Sequence, residues 1–125
     1  MSRAALIVVV LAAAGRAAEP DLSGRWAGRW ESQASGHAGP LRARFTRTDA
    51  DQYRVVFSGR FLGVVPFRYA QTLTVAGRAG DAVLLAGASR VPGFGTFEYR
   101  AAATGQTFDA TFRSRRDGGV FILRR

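Results

Sequence analysis

The side chains that could carry out acid–base chemistry in this sequence are few and lie far apart. The chain has one histidine, His37, and no cysteine. An imidazole that acts as a general base needs a nucleophile or a carboxylate within hydrogen-bond reach, and a histidine in a glycine-containing loop is usually solvated. With no cysteine and a single histidine, the chain also lacks the ligand set that zinc sites usually use. The sequence therefore predicts no catalytic residue, no metal site and no cofactor.

Glu98 and Asp109 are the two carboxylates that could face each other, if the segments on either side of Thr104-Gly105 form a hairpin. Both fall on the polar face of their segments, beside Arg100 and Arg113. A carboxylate pair of the kind that hydrolyses glycosides must instead point into a cleft. Motifs typical of hydrolases, P-loop proteins and dinucleotide-binding proteins are absent. We therefore expect surface ion pairs, and a protein that is not an enzyme.

Aromatic side chains are the other residues that could serve a function. Both tryptophans, Trp26 and Trp30, lie in Gly24–Trp30 with Gly28 between them. In a strand these three residues share a face, and the glycine leaves room for a large side chain from a neighbouring strand. The residues predicted to line an interior that binds a small apolar or amphipathic ligand are Trp26, Trp30, Tyr53, Phe57, Phe61, Tyr69, Phe94 and Tyr99.

The elements that position these residues are strands. After Pro20 the apolar residues recur with a period of two, and turn residues separate the segments. Such alternation is typical of an antiparallel sheet with one wet face. Short consecutive connections favour an all-β, eight-stranded antiparallel up-and-down barrel, and a β-sandwich is the alternative. The predicted strands are Gly24–Trp30, Leu41–Thr48, Gln52–Gly59, Phe67–Ala76, Ala82–Arg90, Phe94–Ala103, Gln106–Ser114 and Val120–Arg125.

A meander of this kind places alternate connections at opposite ends. The even-numbered connections are short and polar, whereas the longer ones are Gln33–Pro40, Phe61–Pro66 and Val91–Gly93 with Phe94. We therefore expect a plain floor at one end and a candidate mouth at the other, because adaptable loops on a rigid scaffold often bind ligands. Two interpretations stay open for the apolar loop residues: a plug for the core, which we slightly prefer, or a ligand portal. These residues are Phe61, Leu62, Val64, Val65 and Phe94.

The N-terminal segment predicts export. Arg3 is followed by the uncharged stretch Ala4–Ala14, and Gly15-Arg16-Ala17 offers small residues at both positions that a signal peptidase reads. The apolar run is short for a bilayer, which needs about 20 residues. We expect a signal peptide over residues 1–17 and a single domain over residues 18–125. The mature protein is then secreted or periplasmic and has no transmembrane helix.

The net charge of +9 comes from arginine alone, because none of the 18 basic residues is lysine. This usage is typical of a GC-rich genome, and the arginines are spread along the predicted strands. A nucleic-acid partner is therefore not expected, since a basic footprint should cluster on one face. Salt-sensitive attraction to an anionic surface remains open. The alternative function is an envelope module that binds an anionic polymer or a partner protein.

Leu22-Ser23-Gly24-Arg25-Trp26 resembles the first strand of the lipocalin-like superfamily of barrels, including the avidins, where Gly-x-Trp begins the strand. The resemblance implies an antiparallel barrel with a small-molecule cavity at one mouth. It also implies a basic residue that covers the tryptophan through a cation–π contact, for which Arg124 is the matching candidate. The chain departs from lipocalins in its length, its missing cysteines and its lack of a C-terminal helix, and no residues match the biotin site of avidins. As a whole it resembles short secreted proteins of GC-rich bacteria, which implies no activity.

Overall fold

The computed structural model describes residues 19–91 and 95–125, and its strands form one antiparallel sheet that closes on itself. Each strand pairs with the next, and the last pairs with the first. The predicted eight-stranded up-and-down barrel is therefore confirmed, and the sandwich is not formed. The predicted signal peptide lies outside the described residues. The strands are β1 Gly24–Ser32, β2 Ala38–Asp49, β3 Gln52–Phe61, β4 Val65–Ala79, β5 Ala82–Val91, β6 Gly95–Ala103, β7 Thr107–Arg113 and β8 Gly118–Arg124.

The strands form because apolar and polar side chains alternate along them. In β2, Leu41, Ala43 and Phe45 are buried, whereas Arg42 and Arg44 between them are exposed. The same pattern recurs in β3 and β7, as expected where one face of an antiparallel sheet is dry and the other is wet. The buried faces of all eight strands point into the barrel and make one core. Within residues 19–91 and 95–125, no helix has the length and apolar character that crossing a membrane requires.

Strand β4 is longer than the alternation predicted, with 15 residues instead of the stretch Phe67–Ala76. Its register against β5 shifts between Val75 and Gly77, which indicates a β-bulge. A bulge lets a strand absorb an extra residue and continue with a stronger twist. The strand therefore runs on past Ala76, where the period of two ends.

Gly28 allows the barrel to close, for a reason other than the one expected from the sequence. A Cβ atom at this position would lie 1.8 Å from the carbonyl oxygen of Ile122 and 3.0 Å from Cα of Leu123. The space next to Gly28 is therefore taken by the backbone of β8 and not by a large side chain. This close approach joins β1 to β8, the first strand to the last.

One end of the barrel carries the β2–β3, β4–β5 and β6–β7 turns, and it is filled with side chains. Leu22, which precedes β1, is fully buried there, and Trp26 Nε1 donates a hydrogen bond of 2.9 Å to its carbonyl oxygen. The backbone N–H of Leu22 donates to the Tyr53 hydroxyl over 3.3 Å. The Trp26 ring lies 5.7 Å from that of Phe45 and 6.4 Å from that of Phe108, centroid to centroid. We call this end the closed end.

The basic residue over Trp26 is Arg125, so the expectation for Arg124 is wrong. The guanidinium carbon of Arg125 lies 4.4 Å from the centroid of the Trp26 ring, and its nitrogens donate to backbone carbonyl oxygens of the segment before β1. Arg124 instead pairs with Asp109 at 2.9 Å on the outside. The reason is alternation: Leu123 faces inward, so Arg124 faces solvent and the next residue turns back over the closed end.

Two carboxylates connect the segment before β1 to the barrel: Glu19 to Arg78 of β4, and Asp21 to the hydroxyl of Tyr53 of β3, which donates to it over 3.5 Å. Glu19 pairs with Arg78 of β4 at 2.8 Å, and the hydrogen bond from that guanidinium lowers the pKa of Glu19. The pKa of Asp21 is also lowered, chiefly by the hydrogen bond from the backbone N–H of Ser23. Both groups therefore favour the charged form in the folded state.

The turn between β3 and β4 has an unusual residue at its tip. The N–H of Val64 donates to the carbonyl oxygen of Phe61 over 3.1 Å, and φ is +53° at Leu62 and +73° at Gly63. Two central residues with positive φ are the signature of a type I′ turn, for which Asn-Gly is preferred. A leucine is strained in this left-handed conformation. Burial does not compensate for the strain, because Leu62 is 66% exposed.

Candidate ligand-binding site at the mouth of the barrel

The end opposite the closed end carries the connections after β1, β3, β5 and β7, and we call it the mouth. Trp26 and Tyr53, two of the predicted ligand-binding residues, lie at the closed end, where other side chains surround them. Phe94 lies outside the described residues. The five others belong to the inner face toward the mouth: Trp30, Phe57, Phe61, Tyr69 and Tyr99.

The inner face toward the mouth is a connected set of aromatic rings. Phe57 is fully buried, and its ring centroid lies 5.4 Å from that of Tyr69 and 5.1 Å from that of Phe121. Phe121 in turn lies 6.1 Å from Tyr99 and 5.1 Å from Phe112. These separations are typical of aromatic contacts. Phe112 and Phe121 were not among the predicted site residues, although the alternation in β7 and β8 points both inward.

Two glycines of the inner wall make room for these rings. A Cβ atom at Gly39 would lie 2.9 Å from Nε1 of Trp30, and one at Gly59 would lie 2.6 Å from the ring of Phe67. The rings therefore lie directly on the sheet, where side chains would otherwise stand. This explains why glycines occur inside strands that the alternation predicts to be regular.

The apolar residues of the β3–β4 turn do not plug the core. Phe61 contacts Trp30 and Phe67 with centroid distances of 5.0 and 4.9 Å, yet it is itself 46% exposed. Leu62, Val64 and Val65 are 66%, 77% and 51% exposed. We call these four residues, Phe61, Leu62, Val64 and Val65, the apolar lip. The preferred interpretation of the loop as a plug is therefore wrong for Leu62, Val64 and Val65, whereas Phe61 packs on the buried Trp30.

A few polar groups interrupt this aromatic interior, and we call them the polar strip: Gln71 and Tyr69 of β4 and Tyr99 of β6. Gln71 is 3% exposed, and its Nε2 donates to the carbonyl oxygen of Thr72 over 3.0 Å. Its Oε1 is buried and has no hydrogen-bond partner in the described part of the chain. Gly87 makes room for this amide, because a Cβ atom there would lie 2.9 Å from Gln71 Nε2. Gly87 pairs in register with Tyr99, and Tyr69 precedes Gln71 by two residues on the same face of β4.

The two tyrosines of the strip form a pair. The Tyr99 hydroxyl donates to the Tyr69 hydroxyl over 3.3 Å. Burial raises the pKa of Tyr69 well above its ordinary value, and Tyr99 contributes to the shift. Burial also raises the pKa of Tyr99. Both hydroxyls therefore stay protonated at physiological pH, and the strip is polar but neutral.

Gln71 was not among the predicted site residues, although the sequence carries its signal. The alternation in β4 places Phe67, Tyr69, Leu73 and Val75 inward, and Gln71 falls on the same face. An amide among apolar residues of one strand face is what a buried polar group looks like in a sequence. The missing hydrogen-bond partner, by contrast, is visible only in three dimensions.

The acid–base candidates lie outside the barrel. His37 is exposed in the connection between β1 and β2. Glu98 is opposite Arg113 and Asp109 is opposite Ala102, so the two carboxylates do not face each other. The register of the β6–β7 hairpin decides this. Both are exposed on the polar face, as expected, and Asp109 forms an ion pair with Arg124. Among the described residues, no group of three or more acidic, histidine or cysteine side chains is arranged to hold a metal ion.

A concavity of about 360 Å³ lies on the surface formed by β6, β7 and the start of β8. Four of the residues that line it face outward from β6 and β7: Glu98, Arg100, Thr111 and Arg113. All four are exposed and charged or polar. Phe112 and Gly119 of the inner face also line it, so the concavity borders the aromatic interior at Phe112, and its polar lining residues are all exposed.

Arginines gather on the outer face of β1–β4, which the sequence did not indicate. The register places Arg25 directly opposite Arg44, although like charges in this position repel. The carboxylates of these four strands are Glu31, which pairs with Arg29, and Asp49 at the closed end. The expectation that the arginines are spread evenly is therefore wrong. We call these exposed residues the arginine wall: Arg25, Arg29, Arg42, Arg44, Arg54, Arg60 and Arg68.

No family model matches the sequence, and no curated protein matches it. Among solved structures the chain is similar to one described as EF1p2_mFAP2b bound to DFHBI. The match has a TM-score of 0.59 and 17% sequence identity, and it covers 83% of this chain and 93% of that chain. At this identity the similarity concerns the fold alone, which in this chain is the closed eight-stranded antiparallel barrel.

Proposed function

We propose that this protein is an exported, non-catalytic barrel that binds a small, neutral, amphipathic molecule through its mouth. The observation that carries the proposal is the buried Oε1 of Gln71, which has no partner among the described residues. A buried acceptor without a donor costs about 1–3 kcal/mol. Such groups are rare in folded proteins and call for an explanation. A ligand with a hydrogen-bond donor would supply the missing partner.

The tyrosine pair adds the complementary function. The two hydroxyls share one hydrogen bond of 3.3 Å, so one of their two protons remains free to donate to a ligand. The interior therefore offers one free acceptor, on Gln71, and one free donor, on the tyrosine pair. A hydroxyl, an amide or a protonated carboxyl group carries both a donor and an acceptor and so complements such an interior.

The charge of the interior favours a neutral ligand. Among the described residues, the inward positions of the strands toward the mouth hold apolar residues, glycines, Gln71, the two tyrosines, Ser32 and Ser89, and none of these is charged. The Asp117 carboxylate in the β7–β8 connection is already engaged, since it accepts a hydrogen bond of 2.7 Å from the Ser32 hydroxyl. A carboxylate bound among these rings would lose its hydration without gaining a counter-charge. Because the raised pKa values keep both tyrosines protonated, we expect binding to be independent of pH near neutrality.

The open side of the aromatic set would accept the apolar part of the ligand. Phe67, Tyr69 and Phe97 are partly buried and pack on the core, so their outer edges face solvent at the mouth. Binding pockets of small ligands usually combine apolar walls with a few convergent polar groups. The solved structure described as bound to DFHBI supports the proposal, because a protein of similar fold is a ligand-bound protein in that case.

Replacing Gln71 with methionine is the experiment that tests this proposal. Methionine has a similar length and fills gaps in apolar cores. We expect the free energy of unfolding to rise by about 1 kcal/mol, because the unpaired acceptor is removed. We also expect retinol, used as a neutral amphipathic probe, to bind about tenfold more weakly. Quenching of Trp30, which lies at the mouth, reports binding, and denaturation in urea reports stability.

Gln52→Met is the matched control, because Gln52 is exposed at the start of β3. This variant should change neither the stability nor the affinity. Retinoate should bind the wild-type protein more weakly than retinol. The proposal is wrong if neither retinol nor a long-chain alcohol or monoacylglycerol quenches the tryptophans. It is also wrong if Gln71→Met leaves the affinity unchanged.

Export is supported by the N-terminal sequence, in which Arg3, the apolar stretch Ala4–Ala14 and Gly15-Arg16-Ala17 have the order of a signal peptide. An intact mass that begins after Ala17, measured on protein from the culture medium or the periplasm, would support it. Soluble cytoplasmic protein that retains Met1 would contradict it.

A second candidate function is the envelope module that binds an anionic polymer, and the arginine wall supports it. Seven exposed arginines on four neighbouring strands make a patch of one sign of charge. Retention on dextran sulfate that falls steeply between dilute and physiological salt would support this function, because exposed charges are screened by salt.

A further inference from the structure

The apolar lip is exposed, and only Phe61 packs on aromatic rings of the barrel, those of Trp30 and Phe67. Its four residues lie in and beside the β3–β4 turn at the mouth and are between 46% and 77% exposed. Leu62 occupies a left-handed position, with φ of +53°, where an asparagine would fit the turn better. The fold therefore carries a strained leucine whose side chain reaches into solvent. Exposed apolar residues that lie together in this way mark sites of interaction.

Arginines of the wall surround the base of the lip. In register, Arg42 of β2 lies opposite Ser58 of β3, and Arg68 of β4 lies opposite the same serine from the other side. Arg60 lies two residues further along β3, toward the lip, and faces outward like Ser58. None of these three arginines takes part in an ion pair within the described residues. Three unpaired guanidinium groups and one hydroxyl therefore meet below the apolar tip.

The vertical order of these groups is that of a bilayer surface. Strands rise about 3.3 Å per residue and tilt by about 35–45° in a barrel. Arg68, three residues after Val65, therefore lies roughly 7–8 Å below the lip, and Arg60, which precedes Phe61, lies closer to it. Apolar side chains at a membrane interface are buried about 5–10 Å deep, and basic residues beside them contact anionic headgroups. Arginine also matches phosphate geometry through paired hydrogen bonds.

We propose that the apolar lip inserts into the surface of a bilayer that contains anionic phospholipid, while Arg42, Arg60 and Arg68 bind the lipid phosphates. The mouth of the barrel then lies at the lipid interface. The proposal concerns the outside of the protein, so it holds whether or not the interior binds a ligand.

Two other binding partners, a soluble anionic polymer and a second copy of the chain, would each explain only one of the two features of this surface. A soluble anionic polymer would neutralise the arginines but would leave the lip in water. A second copy of the chain would cover the lip but would bring two arginine walls of the same charge together. An anionic bilayer provides an apolar layer for the lip and, next to it, a layer of phosphates for the arginines.

The first arm of the test removes the apolar contact without harming the fold. Leu62→Asn combined with Val64→Thr replaces the two most exposed residues of the lip, and asparagine suits the type I′ turn. We expect a melting temperature at least equal to that of the wild type, and at least about tenfold weaker binding to vesicles of phosphatidylcholine with phosphatidylglycerol. Val120→Thr, which changes a partly buried valine of β8, is the control and should bind like the wild type.

The second arm removes charge. Arg42→Gln combined with Arg68→Gln is expected to weaken flotation with the same vesicles by roughly tenfold or more, since each basic residue near an anionic surface contributes about 1 kcal/mol. Arg100→Gln with Arg113→Gln removes the same charge from β6 and β7 and should have a much smaller effect. Vesicles of phosphatidylcholine alone should bind the wild-type protein only weakly.

Three outcomes would overturn the proposal. The first is equal binding of the wild type and the lip variant to anionic vesicles. The second is binding to dextran sulfate or DNA without any binding to vesicles, which would assign the arginine wall to a polymer. The third is a dimer by light scattering that dissociates in the lip variant, which would assign the lip to a second copy. Retinol binding that persists in every variant would show that the interior and the surface act separately.

Discussion

Trp26→Ala is expected to lower the free energy of unfolding by about 3–5 kcal/mol, the usual loss when a buried tryptophan is truncated to alanine. The side chain is 2% exposed and lies at the closed end between Phe45 and Phe108. Its loss leaves a cavity and removes the hydrogen bond to Leu22. It also removes the cation–π contact with Arg125, and such contacts contribute about 0.5–2 kcal/mol. Unfolding in urea, followed by circular dichroism, measures the effect.

Trp30→Ala is the matched control, because the two indoles share a strand and a similar burial of 2% and 4%. Trp30 lies at the mouth against Phe61, which is 46% exposed, and Phe67, which is partly buried. Side chains at an open end can move into the space that is left, so we expect a smaller loss. Equal losses for the two variants would contradict the division of the barrel into a closed end and an open mouth.

Gly28→Ala is expected to destabilise the barrel by about 1–3 kcal/mol or more, although it adds only one methyl group. The added Cβ would lie 1.8 Å from the carbonyl oxygen of Ile122, and a backbone atom cannot move aside as a flexible side chain can. The strands β1 and β8 must therefore separate where the barrel closes. The midpoint of urea unfolding should fall, and amide exchange should become faster first along β1 and β8.

Gly77→Ala is the control for this substitution. The nearest atom to a Cβ at Gly77 is Cδ1 of Leu84 at 3.8 Å, which is an ordinary contact. Alanine there should be tolerated or slightly stabilising, since it restricts the unfolded chain. If Gly28→Ala and Gly77→Ala had the same effect, the close approach of β1 to β8 would not be what limits this position.

The strands could be predicted from the sequence because alternation is a local property. Each run such as Leu41, Ala43 and Phe45 shows by itself which side chains face inward. The turn at Leu62-Gly63 was predicted as a connection, but its conformation was not, because leucine is not a residue that a type I′ turn prefers. The extra length of β4 was missed for a similar reason, since the bulge near Gly77 breaks the period.

The candidate site was predicted only in part. Trp30, Phe57, Tyr69 and Tyr99 come together near the mouth, as the alternation suggested, but their distribution between the two ends could not be predicted. Strands in a barrel are tilted and staggered relative to one another, so the residues that meet inside it depend on the register between neighbouring strands. This register is not visible in any single strand. For the same reason, the unpaired oxygen of Gln71 could not be predicted from its position among apolar residues.

The amino-acid sequence by itself determined that this chain is all-β, that eight segments form strands, and which face of each strand is apolar. Only the tertiary structure decided that Arg125 covers Trp26, that seven arginines share one wall, and that a polar strip with an unpaired acceptor lies inside the barrel. The physical reason is that the face on which a side chain lies follows from the local alternation of the strand, which has a period of two residues. Contacts between strands depend instead on register and barrel closure, and these are set jointly by residues that are far apart in the chain.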